Sequence, residues 1–386
     1  MDRKLLMIPG PIEFEADVLN AMGWKTESHV APAFIERFGH VLQALRELFR
    51  APDGQPFVVA GSGTLAMEMV AANLVETGDS VLVVNTGYFS DRYVRMLERY
   101  GAVVEQVRAP IGEAPPVEKV AGALENGSFK MLVATHVDTS TGVRVDAKAL
   151  AGLARAHGVL SIFDGVCATA GERFEQTEWG ADVYLTASQK AIGVPPGLAI
   201  LMASPPAIDV WESRQEPVRS LYLDWSEWRP IMRAYEEGRP SYFGTPPVNL
   251  IYALDVSVGH ILDEGMEAVW ARHERVAAAF RAAWQALGLN MIPASSEIAA
   301  NTMSALYYPE GVDAGLLGYI KAQGAILAGG LHPEVKARYF RVGHMGPVAP
   351  NDALATIGAI ERGLREAGAV VELGVGVAAA QRVLGD

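Results

Sequence analysis

The chain has 386 residues, half of them hydrophobic, and a formal charge of −13 at pH 7. This length and apolar content allow a large core in two domains and argue against disorder, while the acidic balance argues against nucleic-acid or anionic-lipid partners. We therefore expect a small-molecule partner. A single cysteine, Cys167, excludes an intrachain disulfide framework and Cys-rich metal sites, which fits a reducing compartment.

The N-terminal sequence, from Met1 to Pro11, has too short an apolar run for a signal peptide and is broken by Pro9 and Pro11. No later segment has the roughly 18 uninterrupted apolar residues that a membrane-spanning helix needs, even in the Val/Ala-rich tail after Gly368. We therefore expect a cytoplasmic protein, or one of an organelle matrix, with no membrane partner.

The first long element is an amphipathic helix over Ala33–Arg50, because its apolar side chains recur at i, i+3 and i+4. Short β-favouring runs then alternate with helical patterns such as Thr64–Glu76 and Ala147–His157. This alternation predicts an α/β fold with a mainly parallel sheet and helices on both faces. The β-favouring runs are Phe57–Ala60, Val81–Asn85, Val103–Val107, Met131–Thr135, Val159–Asp164, Val183–Thr186 and Leu198–Met202.

The pattern changes after Pro246-Pro247, where a long helical stretch runs from Val248 to about Leu287. Fewer strands follow, and the last predicted helix lies near Ala353–Ala367. This part is typical of a smaller α+β domain. We therefore divide the chain into an N-terminal segment (1–15), a large domain (16–250) and a small C-terminal domain (251–386). The later predicted strands are Met303–Tyr308, Ala325–Ala328 and Tyr339–Val342.

A candidate phosphate site follows the first β-run, where Gly61-Ser62-Gly63-Thr64 opens a helix. Backbone N–H groups at a helix N-terminus bind anions, and the hydroxyls of Ser62 and Thr64 add donors; we call Ser62–Thr64 the phosphate cup. With Ala66 the string also matches the dinucleotide fingerprint G-x-G-x-x-A, and a plain tight turn is a third interpretation. The next strand ends at Asn85 with no acidic residue to hold a ribose, which favours the phosphate cup.

Two further residues with the right chemistry follow later strands. Asp164 ends the run Val159–Asp164 and so carries a carboxylate to the carboxyl edge of the sheet, where open α/β folds bind ligands. Lys190 follows the next run. Alone, the lysine could be a surface residue and the aspartate a helix cap. Together with the phosphate cup they form the set that a pyridoxal phosphate enzyme requires: an amine, a partner for the pyridine nitrogen and a phosphate site.

Several stretches resemble one family over nearly the whole chain, from Pro9-Gly10-Pro11 to Arg341. The chain resembles the class V, fold-type I aminotransferases that use pyridoxal phosphate, particularly the alanine–glyoxylate and serine–pyruvate branch. The resemblance implies a large domain with a seven-stranded, mainly parallel sheet and a smaller C-terminal α+β domain. The most specific stretches are Ala60–Thr64, Thr135–Gly142, Ala187–Ala191 and Arg341–Gly346.

The resemblance also implies roles for individual residues. Lys190 matches the catalytic lysine that holds the cofactor covalently and moves a proton, and Asp164 matches the catalytic aspartate that keeps the pyridine nitrogen protonated. Arg341 matches the arginine that clamps the substrate carboxylate, and Ser140 is a second substrate-binding position. No metal is implied. The cofactor-binding positions are Ser62, Gly63, Thr64, Phe89, Thr141, Asp164, Gln189, Lys190, Tyr242 and Thr245.

Tyr242 and Thr245 match positions that reach the phosphate in the neighbouring subunit, so the resemblance implies a homodimer with shared active sites. Phe89 matches the aromatic residue stacked on the cofactor ring, where some members have tryptophan. Ser28-His29 departs from the Gly-His of relatives. Cys167 is expected to be a pocket-wall or core residue rather than a nucleophile, which weakens a cysteine desulfurase alternative.

The implied reaction is transamination between a small amino acid, first of all L-alanine, and glyoxylate, which gives pyruvate and glycine. Serine–pyruvate or serine–glyoxylate exchange is the close alternative, because the same cup, lysine and arginine serve both donors. More remote alternatives are an NAD-dependent dehydrogenase, which would use the turn at Gly61–Ala66, and an inactive module that binds pyridoxal phosphate.

Overall fold

The structure is a computed structural model that describes residues 4–385. Residues 1–3 of the predicted N-terminal segment and residue 386 of the predicted small domain lie outside the described residues. Among residues 4–385, none of the helices combines the length and apolar character needed to cross a bilayer.

Helices and strands alternate through the first half of the chain, and helices dominate the second half. The helices are α1 (Ala16–Met22), α2 (Pro32–Leu48), α3 (Gly63–Leu74), α4 (Tyr88–Arg99), α5 (Val117–Asn126), α6 (Ala147–Ala156), α7 (Gln176–Trp179), α8 (Pro205–Glu212), α9 (Trp225–Glu236), α10 (Val248–Glu264), α11 (Met266–Ala286), α12 (Leu316–Ala322), α13 (Pro350–Glu366) and α14 (Val375–Gly385). The strands are β1 (Leu5–Leu6), β2 (Gln55–Ala60), β3 (Ser80–Asn85), β4 (Val103–Arg108), β5 (Met131–Thr135), β6 (Val137–Asp138), β7 (Val143–Arg144), β8 (Leu160–Asp164), β9 (Val183–Ala187), β10 (Leu198–Ala203), β11 (Met303–Tyr307), β12 (Ala325–Ile326), β13 (Ala328–Gly329) and β14 (Tyr339–Gly343).

The central sheet has seven strands in the order β2-β10-β9-β8-β5-β3-β4, which confirms the predicted α/β fold. Strands β9, β8, β5, β3 and β4 are parallel, and β10 is antiparallel to both β2 and β9. Since β10 opposes both neighbours, β2 runs in the same direction as β9. The carboxyl ends of every strand except β10 therefore meet at one edge of the sheet, which we call the carboxyl edge.

Burial explains why the sequences of the central strands are apolar. Strands β5, β8 and β9 are buried at every position, as expected for parallel strands covered on both faces by helices. The edge strand β4 differs, because Val103, Glu105 and Arg108 are exposed. Charged side chains on an edge strand hinder pairing with another chain.

Two helical predictions need correction. The stretch predicted from Val248 to Leu287 is two helices, because Gly265 adopts φ +85°, a conformation that L-residues rarely adopt and that ends α10. The second difference is α14, which lies beyond the last predicted helix. Buried Glu361 accepts hydrogen bonds from the N–H groups of Gly374, Gly376 and Val377, which ties the start of α14 to α13.

The described residues form two hydrophobic clusters. The larger surrounds the central sheet, and the smaller is built from Met7 and from residues between Val276 and Ala380. Helix α10 packs into the larger cluster against α1 and α2, although most of it lies beyond residue 250. The boundary between residues 250 and 251 stays a prediction.

The N-terminal segment connects the two clusters. Strand β1 pairs with β12, and the carbonyl of Met7 accepts a hydrogen bond from Gly343 N–H at 2.8 Å. Farther along, Ile12 N–H donates to the carbonyl of Gln189 at 3.3 Å. The segment therefore runs from the C-terminal part of the chain across the carboxyl edge of the sheet.

Candidate active site

A cavity of about 220 Å³ opens at the carboxyl edge of the sheet. Seven of the residues predicted from the sequence line it: Ser62, Gly63, Thr64, Phe89, Asp164, Gln189 and Lys190. Five others lie outside this lining: Ser140, Thr141, Arg341, Tyr242 and Thr245. The lining residues that were not predicted as site residues are Gly10, Met67, Arg92, Val137, Thr139, Val166 and Cys167.

The phosphate cup lies between β2 and α3. The N–H of Gly61 donates to the carbonyl of Gly197 at 2.8 Å, and α3 begins at Gly63. The side chain of Ser62 makes no capping hydrogen bond to the helix. A Cβ atom on Gly63 would lie 2.7 Å from Val166 Cγ2, so a side chain would crowd the cavity at this point. The helix N-terminus and the hydroxyls of the cup are suited to bind an anion.

Asp164 is the last residue of β8 and is buried. Val166 N–H donates to its Oδ1 at 2.9 Å. Burial raises the pKa of Asp164 to about 6, with Lys190 and Arg92 opposing the rise. A cationic ligand group, such as a protonated pyridine nitrogen, would stabilise the ionised carboxylate further.

Lys190 follows β9 and is 8% exposed. Its Nζ donates a hydrogen bond to the carbonyl of Pro9, and burial lowers its pKa. Burial favours a neutral amine, the form that attacks carbonyl groups, whereas the carbonyl of Pro9 favours the ammonium. The side chain also contacts Gly10, where an added Cβ would lie 2.6 Å from Lys190 Cδ. The sequence interpretation gave Gly10 no role, although the Pro9-Gly10-Pro11 string marked the segment.

Phe89 lies in the first turn of α4, which a buried carboxylate holds in place. Asp138 accepts hydrogen bonds from the N–H groups of Phe89 at 3.0 Å and Ser140 at 2.8 Å, and also from the Ser140 hydroxyl. Ser140 Oγ in turn accepts from Tyr88 N–H at 3.1 Å. The Ser140 hydroxyl, predicted to bind substrate, thus holds the start of α4. Asp138 was missed because no local pattern links it to a helix 49 residues away.

Thr141 and Arg341 lie outside the cavity lining. Thr141 Oγ1 donates to the carbonyl of Thr86 at 3.2 Å. On β14, Arg341 donates from Nε to the carbonyl of Gly329 at 2.8 Å and from Nη1 to the carbonyl of Thr139 at 3.1 Å. Thr139 lines the cavity, so Arg341 is linked to it through one residue. Both acceptors are neutral, and they leave the positive charge of Arg341 available to an anion.

Tyr242 and Thr245 are placed differently from the other candidates. Both are exposed in the loop between α9 and α10, and Tyr242 is 62% exposed. The Tyr242 ring lies 5.1 Å from that of His29, centroid to centroid. This loop takes no part in lining the chain's own cavity.

The lining fits pyridoxal phosphate. Gln189 Oε1 is buried without a hydrogen-bond partner among residues 4–385, so the amide is available to a ligand. The cup suits a phosphate, Phe89 offers a ring for stacking, Asp164 offers a carboxylate and Lys190 an amine. The geometry thus brings together groups that the sequence interpretation derived separately.

Cys167, His136 and Trp225 make structural contacts. Cys167 is buried in the cavity wall, with Sγ 3.9 Å from Thr302 Oγ1. His136 contacts the hydroxyl of Tyr184 through Nδ1 at 2.9 Å, and burial lowers its pKa to about 3. Trp225 stacks on Phe57 in the core. In the part of the chain that the structure describes, no cluster of three or more His, Cys, Asp or Glu residues could hold a metal ion.

Comparisons with known proteins give one consistent family. The family described as Aminotransferase class-V matches residues 16–336. The chain is 39% identical to alanine–glyoxylate aminotransferase 1 of Saccharomyces cerevisiae, over 90% of this chain and 94% of the yeast protein. It is 34% identical to L-aspartate–glyoxylate aminotransferase of Paracoccus denitrificans, over 97% and 95% of the two chains.

A solved structure agrees with these relatives. The crystal structure of ureidoglycine–glyoxylate aminotransferase from Bacillus subtilis superimposes with a TM-score of 0.92 at 26% identity, covering 100% of this chain and 99% of that one. The dinucleotide interpretation of Gly61–Ala66 finds no support in this family. The chain therefore belongs to the class V aminotransferases, and its cofactor is pyridoxal 5′-phosphate.

Proposed function

We propose that this aminotransferase moves an amino group from a small amino acid, first of all L-alanine, to glyoxylate, giving pyruvate and glycine. The observation that carries the proposal is the small cavity in which Lys190, Asp164 and the phosphate cup meet. The names of the relatives support the acceptor, because alanine–, aspartate– and ureidoglycine–glyoxylate aminotransferases share glyoxylate and differ in the donor. The small volume favours a donor with a short side chain.

The residues in the cavity have different roles in the reaction. Pyridoxal phosphate, when bound, supplies the electron sink that lets an amino group leave one carbon skeleton and join another. Lys190 Nζ, whose pKa burial lowers, takes the proton from the α-carbon of the donor and later returns a proton. The Asp164 carboxylate holds the proton on the ring nitrogen. Gly10 and Pro9 cover Lys190 and exclude water from its amine.

Binding is shared between the two ends of the cavity. Ser62, Gly63, Thr64 and Gln189 hold the phosphate at the N-terminus of α3, and Phe89 stacks on the ring. Arg341 clamps the substrate carboxylate, a task for which the planar, two-pronged guanidinium is suited. The roles of Ser140 and Thr141 toward substrate and cofactor stay predictions, since both hydroxyls are engaged with the chain itself.

A panel of amino donors against glyoxylate and pyruvate tests this function. We expect the highest kcat/KM for L-alanine with glyoxylate, and loss of the visible absorbance of the cofactor when alanine is added without an acceptor. A higher kcat/KM for serine would favour serine–glyoxylate or serine–pyruvate exchange. An absorbance that no amino donor changes would contradict transamination and favour an inactive module. The cytoplasmic location stays a prediction from the sequence.

The active site is proposed to be shared between the two subunits of a homodimer. The exposure of Tyr242 and Thr245 supports this, because their hydroxyls are free to reach the cofactor phosphate bound by a second copy of the chain. Pro246 and Pro247 stiffen the loop that presents them.

Subunit complementation tests the shared site. A mixture of Lys190→Ala and the double variant Tyr242→Phe/Thr245→Ala forms mixed dimers in which one site carries both defects and the other carries none. We expect activity above that of either parent, whereas a control mixture of two Lys190 variants gains nothing. A mixed dimer without gain, formed from a badly impaired double variant, would place Tyr242 and Thr245 in the site of their own subunit.

A further inference from the structure

Arg92 is a half-buried cation of the cavity wall to which the family resemblance assigned no role. It lies in α4, one turn after Phe89. Its Nη1 donates to Thr64 Oγ1 at 3.0 Å, and its Nη2 donates to the Tyr88 hydroxyl oxygen at 3.2 Å. The guanidinium carbon also lies 4.9 Å from the centre of the Phe89 ring and 5.1 Å from that of Tyr88. One side chain thus connects the phosphate cup with the aromatic residue of the site.

The hydrogen bond to Thr64 decides what that hydroxyl can do. A guanidinium has only donors, so Thr64 Oγ1 must be the acceptor in this contact. A threonine hydroxyl has one proton, which the contact leaves free for another acceptor. Because Thr64 lines the cavity, the acceptor that fits there is an anionic oxygen bound in the phosphate cup.

The charges around the cavity indicate a second role for Arg92. The charged residues of the lining are Asp164, Lys190 and Arg92. In the proposed function Lys190 would hold the cofactor and Asp164 would pair with its ring nitrogen, so neither would balance the charge of the phosphate. Arg92 then remains as the permanent cation of the lining beside a phosphate that is itself doubly negative, since an arginine does not lose its proton in proteins.

Contacts within α4 fix the guanidinium in place. Tyr88 and Phe89 lie four and three residues before Arg92, so the three side chains share one face of the helix. The cation lies over both rings, which limits the rotamers of Arg92 and of Phe89 together. Displacing Arg92 would therefore disturb the cup and the stacking residue in one step.

We propose that Arg92 is the positioning residue for the phosphate end of the cofactor, where it orients the Thr64 hydroxyl, holds the Phe89 ring and balances a phosphate monoester dianion. The inference rests on the proposed function in one respect, the placement of the phosphate at Ser62–Thr64. It predicts that Arg92 matters for a ligand that carries the phosphate and much less for one that lacks it.

The test compares pyridoxal phosphate with pyridoxal, which lacks the phosphate, as ligands of the apoenzyme. For Arg92→Gln we expect the dissociation constant of pyridoxal phosphate, measured by absorbance titration, to rise by about ten- to a hundredfold, because charge-assisted hydrogen bonds are lost. Pyridoxal keeps the ring that stacks on Phe89 but has no phosphate, so its constant should rise by a smaller factor, less than about threefold. Arg92→Lys keeps the charge but loses the two-pronged guanidinium. The dissociation constant of pyridoxal phosphate should therefore rise, but by less than in Arg92→Gln.

Two further variants make the comparison sharper. Arg95→Gln removes an exposed charge from the same helix and should leave both constants unchanged. Thr64→Val removes the hydroxyl with little change in shape and should weaken pyridoxal phosphate. If Arg92 acts through Thr64, the double variant Arg92→Gln/Thr64→Val loses less affinity than the two single losses combined.

Failure of the inference differs from failure of the phosphate placement. If Arg92→Gln weakens the binding of pyridoxal phosphate and of pyridoxal by the same factor, Arg92 only supports the fold of α4. If Arg92→Gln leaves the dissociation constant of pyridoxal phosphate unchanged while Thr64→Val still raises it, the inference is overturned. If instead Thr64→Val has no effect, the cup is misplaced and the inference falls with it. Should Arg92→Gln fail to fold, Arg92→Lys supplies the same phosphate-dependent comparison.

Discussion

The buried catalytic candidates and the exposed loop between α9 and α10 are built in opposite ways. Asp164 is buried at the end of β8, where strands on both sides pair with it. Lys190 is buried three residues after β9, and its carbonyl accepts a hydrogen bond from Gly193 N–H at 2.8 Å. Tyr242 and Thr245 stand exposed in a loop outside any strand or helix. A side chain held by the sheet can be placed accurately for chemistry within one chain, whereas an exposed tyrosine gains a defined position only against a second surface. This contrast is the physical reason for proposing a shared site.

Among changes to the buried catalytic candidates, Lys190→Ala should lower activity the most. We expect kcat to fall by about three to four orders of magnitude, the range of a lost acid–base group or more, with the fold retained. Borohydride reduction followed by peptide mapping should label Lys190 in the wild-type protein and no lysine in the variant. Lys148→Ala, at an exposed position, is the matched control. Labelling of any other lysine in the wild-type protein would refute the assignment.

Asp164→Asn separates function from stability. Loss of a charge-assisted hydrogen bond should slow the half-reaction with alanine by about ten- to a hundredfold. The stability of the apoprotein at neutral pH, in contrast, should not fall in this variant. Since burial raises the pKa of Asp164 from 3.8 to about 6, the folded apoprotein binds this proton more tightly than the unfolded chain does, and stability falls as the pH rises from about 4 through 6.

Asparagine removes that pH-dependent loss. The urea-unfolding free energy of the Asp164→Asn apoprotein at pH 7 should therefore equal or exceed the wild-type value, by up to about 3 kcal/mol. The difference between the two apoproteins should shrink below pH 4. Wild-type rates of the half-reaction in the variant would remove Asp164 from the chemistry.

Arg341→Lys tests the proposed binding of the substrate carboxylate. Lysine keeps the charge but loses the two-pronged geometry, so kcat/KM should fall by about tenfold or more for every amino donor. Arg338→Lys, at an exposed position before β14, is the control and should leave kcat/KM unchanged. A variant that exchanges a preference for alanine with one for serine would show that Arg341 contacts the side chain of the substrate instead of its carboxylate.

The last prediction concerns acid stability and involves only buried groups. Gly346 N–H donates to His273 Nε2 at 3.0 Å, so the ring carries its proton on Nδ1, which donates to the carbonyl of Val269. Burial lowers the pKa of His273 from 6.5 to about 4, so the unfolded chain gains this proton before the folded protein does. The stability that the neutral ring provides is complete above pH 6.5 and is lost as the pH falls towards 4, by about 1.4 kcal/mol per pH unit.

Thermal unfolding between pH 7 and 4 measures this contribution. Replacing the ring by His273→Gln should flatten the fall of Tm with decreasing pH, whereas His157→Gln, at an exposed position, should leave the slope as it is. An unchanged slope in the His273 variant would mean that other groups cause the acid instability. His136 and His344, whose pKa values burial lowers to about 3, add to the same trend.

The predictions from the sequence succeeded where short-range patterns carry the information. The β-favouring runs located all seven strands of the central sheet, and the parallel strands covered on both faces, β5, β8 and β9, are apolar because they are buried along their whole length. Glycine at a strand–helix junction marked the phosphate cup for a similar reason, since close approach of the backbone excludes side chains. The positions of Lys190 and Asp164 after later strands grouped them with the cup, the family resemblance agreed, and the structure brings all three to one cavity.

Other features depend on contacts between distant residues, which no local pattern encodes. Lys190 contacts Pro9 across 181 positions, Phe89 is held by Asp138 across 49, and Arg92 meets Thr64 across 28. Gly265 was visible in the sequence, but only its backbone conformation shows that it ends α10. The sequence by itself determined the strands, the cup and the reactive residue types, because these follow from local burial and backbone sterics. The tertiary structure alone decided which side chains support them, because a hydrogen bond forms between whichever donors and acceptors the folded chain brings within reach.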